Sequence, residues 1–254
     1  MATSRKQFAG NRGESAVDLA AQQLRELALS RSDGEFLGSE DELVAKLGVS
    51  KPTLRQASAR VAQEHLVTVR RGVGGGYFAG RPSSMMVSTM AAVYLRTRDA
   101  TYVELADTTP MFYAELARLA SRNRDPDKIA WLREFADRDE STIDDLNIAG
   151  YADFMRSERE FINFLARMAG NKVLELMVAI TADFSAHAQR NDEHMIRRLE
   201  NMAIYRRLRA RFARAIANGD GDIAELLSRR CTELMCEWMR EGFADRAFQV
   251  NEMR

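Results

Sequence analysis

The stretch SEDELVAKLGVSKPTLRQASARVAQEHLVTVRRGVGGG, residues 39–76, changes its periodicity twice. Ser39 is a good helix N-cap, and Glu42, three residues on, completes a capping box. Leu43, Val44 and Leu47 supply the buried stripe of a short helix. Gly48 suits the left-handed backbone that ends such a helix, Ser50 offers a second N-cap, and Pro52 sits in the next first turn, where its missing N–H costs little. From there Leu54, Ala57, Val61 and Leu66 face a core. The period then shortens: Val67, Thr68 and Val69 favour a strand, Tyr77 and Phe78 resume it, and residues 70–76 join the two as a basic, glycine-rich hairpin tip. Two helices across a tight turn, followed by a hairpin, is the order of a winged helix-turn-helix, which offers the first turn of its second helix to a DNA groove.

Outward from this stretch the organisation is helical. Upstream, Val17, Ala20, Leu24, Leu27 and Leu29 recur at three-to-four spacing over residues 15–29, and Arg31-Ser32-Asp33-Gly34 breaks the pattern. Downstream, Pro82 and Ser83-Ser84 suggest a boundary, giving a DNA-binding domain over 1–82 and a second domain over 83–254. The second shows no strand pattern. Helical segments run over 85–96, 100–122, 126–145, 149–169, 172–190, 193–218 and 221–245, so the fold class is mainly α: a winged helix-turn-helix with a small β-hairpin, then an all-α bundle of six or seven helices.

Composition narrows the classes. The chain has 254 residues, 46% of them hydrophobic, and its formal charges balance to zero. Residues 1–82 hold twelve Lys/Arg against nine Asp/Glu, a mildly basic head on a mildly acidic body. Cys231 and Cys236 lack metal-type spacing, which points to a reducing cytoplasm and no disulfide framework. No run of about eighteen apolar residues offers a membrane span, and MATSRKQFAGNRGE lacks a signal-peptide core.

The side chains that carry chemistry cluster in the opening stretch. Lys51, Thr53 and Arg55 lie in or near the first turn of the second helix; a Lys or Arg can donate to guanine O6 and N7, and a Thr can touch a phosphate or a thymine methyl. Arg70 and Arg71 suit phosphates or a minor groove, with Gly72 allowing close backbone approach. A nucleotide-phosphate loop is excluded there, because no helix starts at the glycines and the Walker lysine pattern is missing. Asp183 and His187, four apart, could share a metal on one helical turn, but His194 lies about 10 Å further along a continuous helix. His65 reads as packing beside the hairpin.

LGSEDELVAKLGVSKPTLRQA followed by HLVTVRRGVGGGYF resembles the winged-helix domain of GntR-type bacterial transcription regulators. EREFINFLARMAGN and AIANGDGDIAELL resemble the effector domain, usually called FCD, of the FadR-like subfamily. The resemblance implies DNA contacts at Ser50, Lys51, Pro52, Thr53, Arg55, Arg71 and Gly72, to which the basic tip adds Arg70. Two departures matter: Lys51 stands where the family usually has Arg, and Asp41 where some members place a phosphate-binding Arg. Many FCD members hold a divalent metal with an Asp, a His four residues on and two later histidines; the corresponding positions here read Glu158, Ile162, Arg209 and Cys231. Ile162 cannot ligate and Arg209 is a fixed cation, so the reading is no metal and no cofactor. Glu158, Arg209 and Cys231 become candidate effector-binding residues, with Arg209 free either to pair with Glu158 or to hold an effector's carboxylate or phosphate; a surface Arg on the charge-rich run YRRLRARFARA is the competing reading.

The resemblance implies a homodimeric, ligand-responsive regulator, a repressor on an inverted-repeat operator in double-stranded DNA, with a small organic acid or acyl-CoA-like metabolite as effector and no membrane partner. Two alternatives of other classes are an α-helical metabolite-processing enzyme with an accessory DNA head and an architectural DNA binder without a sensor. The first lacks a nucleophile–base pair or carboxylate pair in support.

Overall fold

A computed structural model describes residues 15–142, 148–188 and 195–243. The chain divides into two compact units between Ser83 and Ser84.

The first unit runs α1 (Ala16–Leu29), β1 (Phe36–Gly38), α2 (Glu40–Leu47), α3 (Lys51–Gln63), β2 (Val67–Arg70) and β3 (Gly76–Ala79). Each helix starts as its cap residues dictate. Ser15 with Asp18 and Ser39 with Glu42 form reciprocal capping boxes, and the Ser50 hydroxyl accepts from the Thr53 N–H. Gly48 ends α2 at φ 66°, a left-handed conformation that a Cβ would strain. Leu24, Leu43, Leu54, Ala57 and Val61 close the core with no exposed surface. Arg25 grips Glu64 through two hydrogen bonds of 2.6 Å, and Arg60 pairs with Asp18, tying α1 to α3 twice. The Arg81 guanidinium donates to the carbonyls of Ala28, Leu29 and Arg31, placing positive charge at the negative end of the α1 dipole.

The sheet has three strands, ordered β1-β3-β2, and not the hairpin alone. β2 and β3 pair antiparallel from Val67 opposite Ala79 to Arg70 opposite Gly76. β1 adds Phe36 opposite Phe78 with an irregular register to Gly38. Three residues ending in glycine carry no alternating pattern, so this strand left no periodic signal. His65 also departs from the sequence reading: it is exposed, not packed, and adopts φ 57°. Its N–H bonds Ala62 O while the Leu66 N–H bonds Val61 O, the paired closure that stops a helix and turns the chain into β2.

The second unit is all helix: α4 (Ser84–Arg96), α5 (Tyr102–Ala120), α6 (Pro126–Ser141), α7 (Ile148–Ala169), α8 (Lys172–Ala188), α9 (Met195–Asn218) and α10 (Gly221–Phe243). α5 lies along α10, α6 along α9, and α4 along α8. Stacked rings fill the middle, with Trp131 on Phe164 at 3.8 Å between centroids and Phe135 on Phe161 at 4.7 Å. Pro110 lies inside α5 and has no N–H for the carbonyl of Ala106, one turn back. Cys236 of α10 fills the gap: its Sγ donates to Ala106 O at 3.2 Å. Among the described residues no helix is long and apolar enough to cross a membrane.

Candidate nucleic-acid interface and buried polar centre

The first turn of α3 gathers most of the sequence-predicted contact residues. Ser50 holds the N-cap, and its hydroxyl lies 2.9 Å from that of Thr53, which is half-buried. Lys51 and Pro52 are exposed beside them. Arg55 is one turn on, its side chain 67% exposed, so Lys51 and Arg55 share a face at i, i+4 spacing. Neither cation is alone. Lys51 Nζ lies 2.7 Å from Asp41 Oδ1, and Arg55 donates through Nε and Nη2 to the two oxygens of Glu40 at 2.8 and 2.9 Å. Each hydrogen bond raises the pKa of its cation, and the Arg55 bond lowers that of Glu40. Glu40 was not singled out from sequence; its place in the first turn of α2 reads equally well as helix-dipole complement.

The hairpin tip supplies the rest. Arg70 lays its guanidinium over the Phe78 ring at 4.3 Å, and Arg71 is exposed. Gly72 and Gly74 adopt φ 94° and 75°. A Cβ on Gly75 would meet the Arg70 carbonyl at 2.5 Å, so this tight tip admits only glycine there. Cation, hydroxyl and glycine are therefore found on two separate projections, the α3 first turn and the β2–β3 tip.

In the helical unit Arg209 is fully buried, which removes the surface reading. The 3.6-residue period of α9 puts it in one stripe with Met202, Tyr205, Phe212 and Ile216, all buried. Its Nε and Nη2 donate to the two Asp139 oxygens at 2.7 and 2.5 Å, Nη1 to Glu158 at 2.6 Å, and Nη2 also to Ser157 Oγ at 2.8 Å. The guanidinium sits 5.0 Å from the ring centroids of both Phe135 and Phe154. Burial disfavours its charge, but the Asp139 hydrogen bonds and the Glu158 charge outweigh that and raise its pKa. Tyr205 donates to Glu158 at 2.7 Å; burial, then the Glu158 charge, push its phenol well up. Burial likewise pushes the Cys231 thiol up, with Glu158 adding to the effect, so no reactive thiolate forms there.

Glu158 and Arg209 are thus brought together, with Cys231 in their electrostatic field. Sequence reasoning missed Asp139, Ser157 and Tyr205. Asp139 follows Leu132, Phe135 and Ala136 on the buried face of α6, a periodic signal that was available. The residues do not fit a divalent metal: Ile162 is buried core and the carboxylates of Asp139 and Glu158 are spent on a guanidinium. Elsewhere, Asp183 accepts from Ser88 Oγ at 2.8 Å. The His187 side chain and all of His194 lie outside the described residues. Among the described residues no group of three or more His, Cys, Asp and Glu could hold a metal ion.

Residues 18–75 match the family described as "Bacterial regulatory proteins, gntR family", and residues 111–234 match the FCD domain. The HTH-type transcriptional repressor NanR of Salmonella newport is 30% identical over 145 residues, covering 56% of this chain and 53% of that protein. The same repressor of Salmonella typhimurium gives 30% over 145 residues, 56% of this chain and 52% of that protein. The chain thus spans about half the length of the curated relatives it matches. Streptococcus agalactiae GntR has a similar fold, with a TM-score of 0.62 at 18% identity over 87% of this chain and 99% of that one.

Proposed function

The chain belongs to the gntR family of bacterial regulatory proteins and carries an FCD domain, and from that premise we propose that it is a ligand-responsive transcriptional regulator acting as a repressor. The observation that carries the reading is the pair of cation-bearing elements: the capped first turn of α3 with Lys51 and Arg55, and the glycine tip with Arg70 and Arg71. In this reading Lys51 and Arg55 donate to base edges, Ser50, Thr53 and Pro52 fit against backbone, and Arg71 and Gly72 follow a minor groove. A homodimer presents two such heads to an inverted repeat. The NanR relatives are named as repressors, which supports the sign of regulation.

The helical unit is the sensor in this proposal, and its effector is a small acidic or acyl metabolite. Arg209 bears on which. Two carboxylates already neutralise it, so an incoming acid must displace Asp139 or Glu158, which weighs towards an acyl ligand.

Footprinting on the DNA upstream of the protein's own gene, repeated with a panel of organic acids and acyl thioesters, tests the reading. A discrete footprint released by one metabolite class is the expected result. Lys51→Ala or Arg55→Ala should abolish it, each costing about 1–3 kcal/mol per lost base-edge contact. Equal protection by the double variant would show that α3 does not read the DNA.

A further inference from the structure

A surface that meets a polyanion ordinarily sheds its carboxylates, yet two stand on consecutive residues against the cations of α3. Glu40 is mostly covered by its contacts, its side chain 27% exposed, but that of Asp41 is 79% exposed and open to whatever Lys51 approaches. An ion pair this exposed adds little to folding, so its position matters more than its contribution to stability. Resting on the reading of α3 as the recognition helix, we propose that Asp41 is a specificity-determining residue of the DNA interface, suppressing attachment through phosphates alone and leaving base-edge contacts intact.

A charged and a neutral acceptor meet Lys51 differently. A free ammonium attracts any phosphate. An ammonium held 2.7 Å from a carboxylate presents a compact dipole, and a phosphate oxygen that reaches Lys51 also approaches the Asp41 charge. Guanine O6 and N7 carry no formal charge and escape that repulsion, while the ammonium keeps two N–H donors to offer them. The second Asp41 oxygen is an acceptor suited to a cytosine N4 amine. Arg55 follows the same logic: Glu40 occupies its Nε and Nη2 and leaves the Nη1 donors for a base. Glu40 is a positioning residue for Arg55, whereas Asp41 filters what Lys51 binds.

The test uses the full chain, a duplex enriched by the wild-type protein from a random-sequence pool, and a scrambled duplex of equal length and composition. Asp41→Asn keeps shape and removes charge. It should bind the scrambled duplex several-fold more tightly than wild type and gain less on the enriched one, so the ratio of the two affinities falls. Its dependence of log K on log salt for the scrambled duplex should steepen by about 0.9, the share of one phosphate freed to meet Lys51. If Asp41→Asn shifts both affinities by one factor, or weakens the scrambled complex, the role of Asp41 is overturned even where Lys51→Ala and Arg55→Ala lose the enriched duplex. If those two alanine variants bind it as wild type does, the placement of α3 fails and this inference with it.

Discussion

Arg209 makes four hydrogen bonds to three neighbours through one side chain, and its removal would strand two buried carboxylates. Arg209→Met should lower unfolding free energy by about 3–5 kcal/mol in urea titrations, because Asp139 and Glu158 would stay buried without a counter-charge. Arg209→Lys should recover only part of the loss, since an ammonium cannot make the two-pronged contact to Asp139. If the methionine variant matches wild type, the centre does not hold the bundle together. How legible was this residue? Its identity as a cation in place of a ligand was plain in the sequence. Its direction was not, because the run YRRLRARFARA holds five arginines, two of them buried, Arg206 and Arg209, and only the spacing to Met202, Tyr205 and Ile216 puts Arg209 in that stripe. Asp139, its main partner, lies seventy positions away, a separation at which no local pattern pairs two residues.

Elements were more legible where their ends are chemically marked. Ser39, Glu42, Gly48, Ser50 and Pro52 fixed α2 and the start of α3 because each satisfies or forgoes a particular backbone group. β1 carried no such mark. Ser39→Ala should cost about 1 kcal/mol by removing the cap, measurable as a lower thermal midpoint. The same box has a pH signature. Hydrogen bonds from Ser39 hold Glu42 below the ordinary 4.5, so the stability it adds is fully present above that value and is lost as pH falls through the depressed one. Glu42→Gln should flatten that part of an acid-unfolding curve. On α5 and α10 the thiol of Cys236, its pKa pushed up to about 11 by burial, supplies the donor that Pro110 cannot. Cys236→Ala should destabilise by about 1–3 kcal/mol through the unpaired Ala106 carbonyl, and Cys236→Ser should cost less. Equal losses for the two variants would show that volume, and not the hydrogen bond, matters there.

For the whole molecule, a formal charge of zero means that any attraction to DNA must arise from where the cations stand. Binding should therefore weaken steeply with salt, by a slope that counts only the few phosphates within reach of the α3 turn and the hairpin tip. A salt-independent affinity would contradict the proposed interface.

The guanidinium at the heart of the helical unit has one more implication. A metal at such a centre is borrowed: it must be acquired, can be stripped by a chelator, and ties the protein to the cell's mineral economy. Arg209 is instead written into the gene and delivered with the chain at synthesis. Treatment with a strong chelator should leave the thermal midpoint of the bundle unmoved. A centre built this way keeps one setting through scarcity and plenty of metal alike.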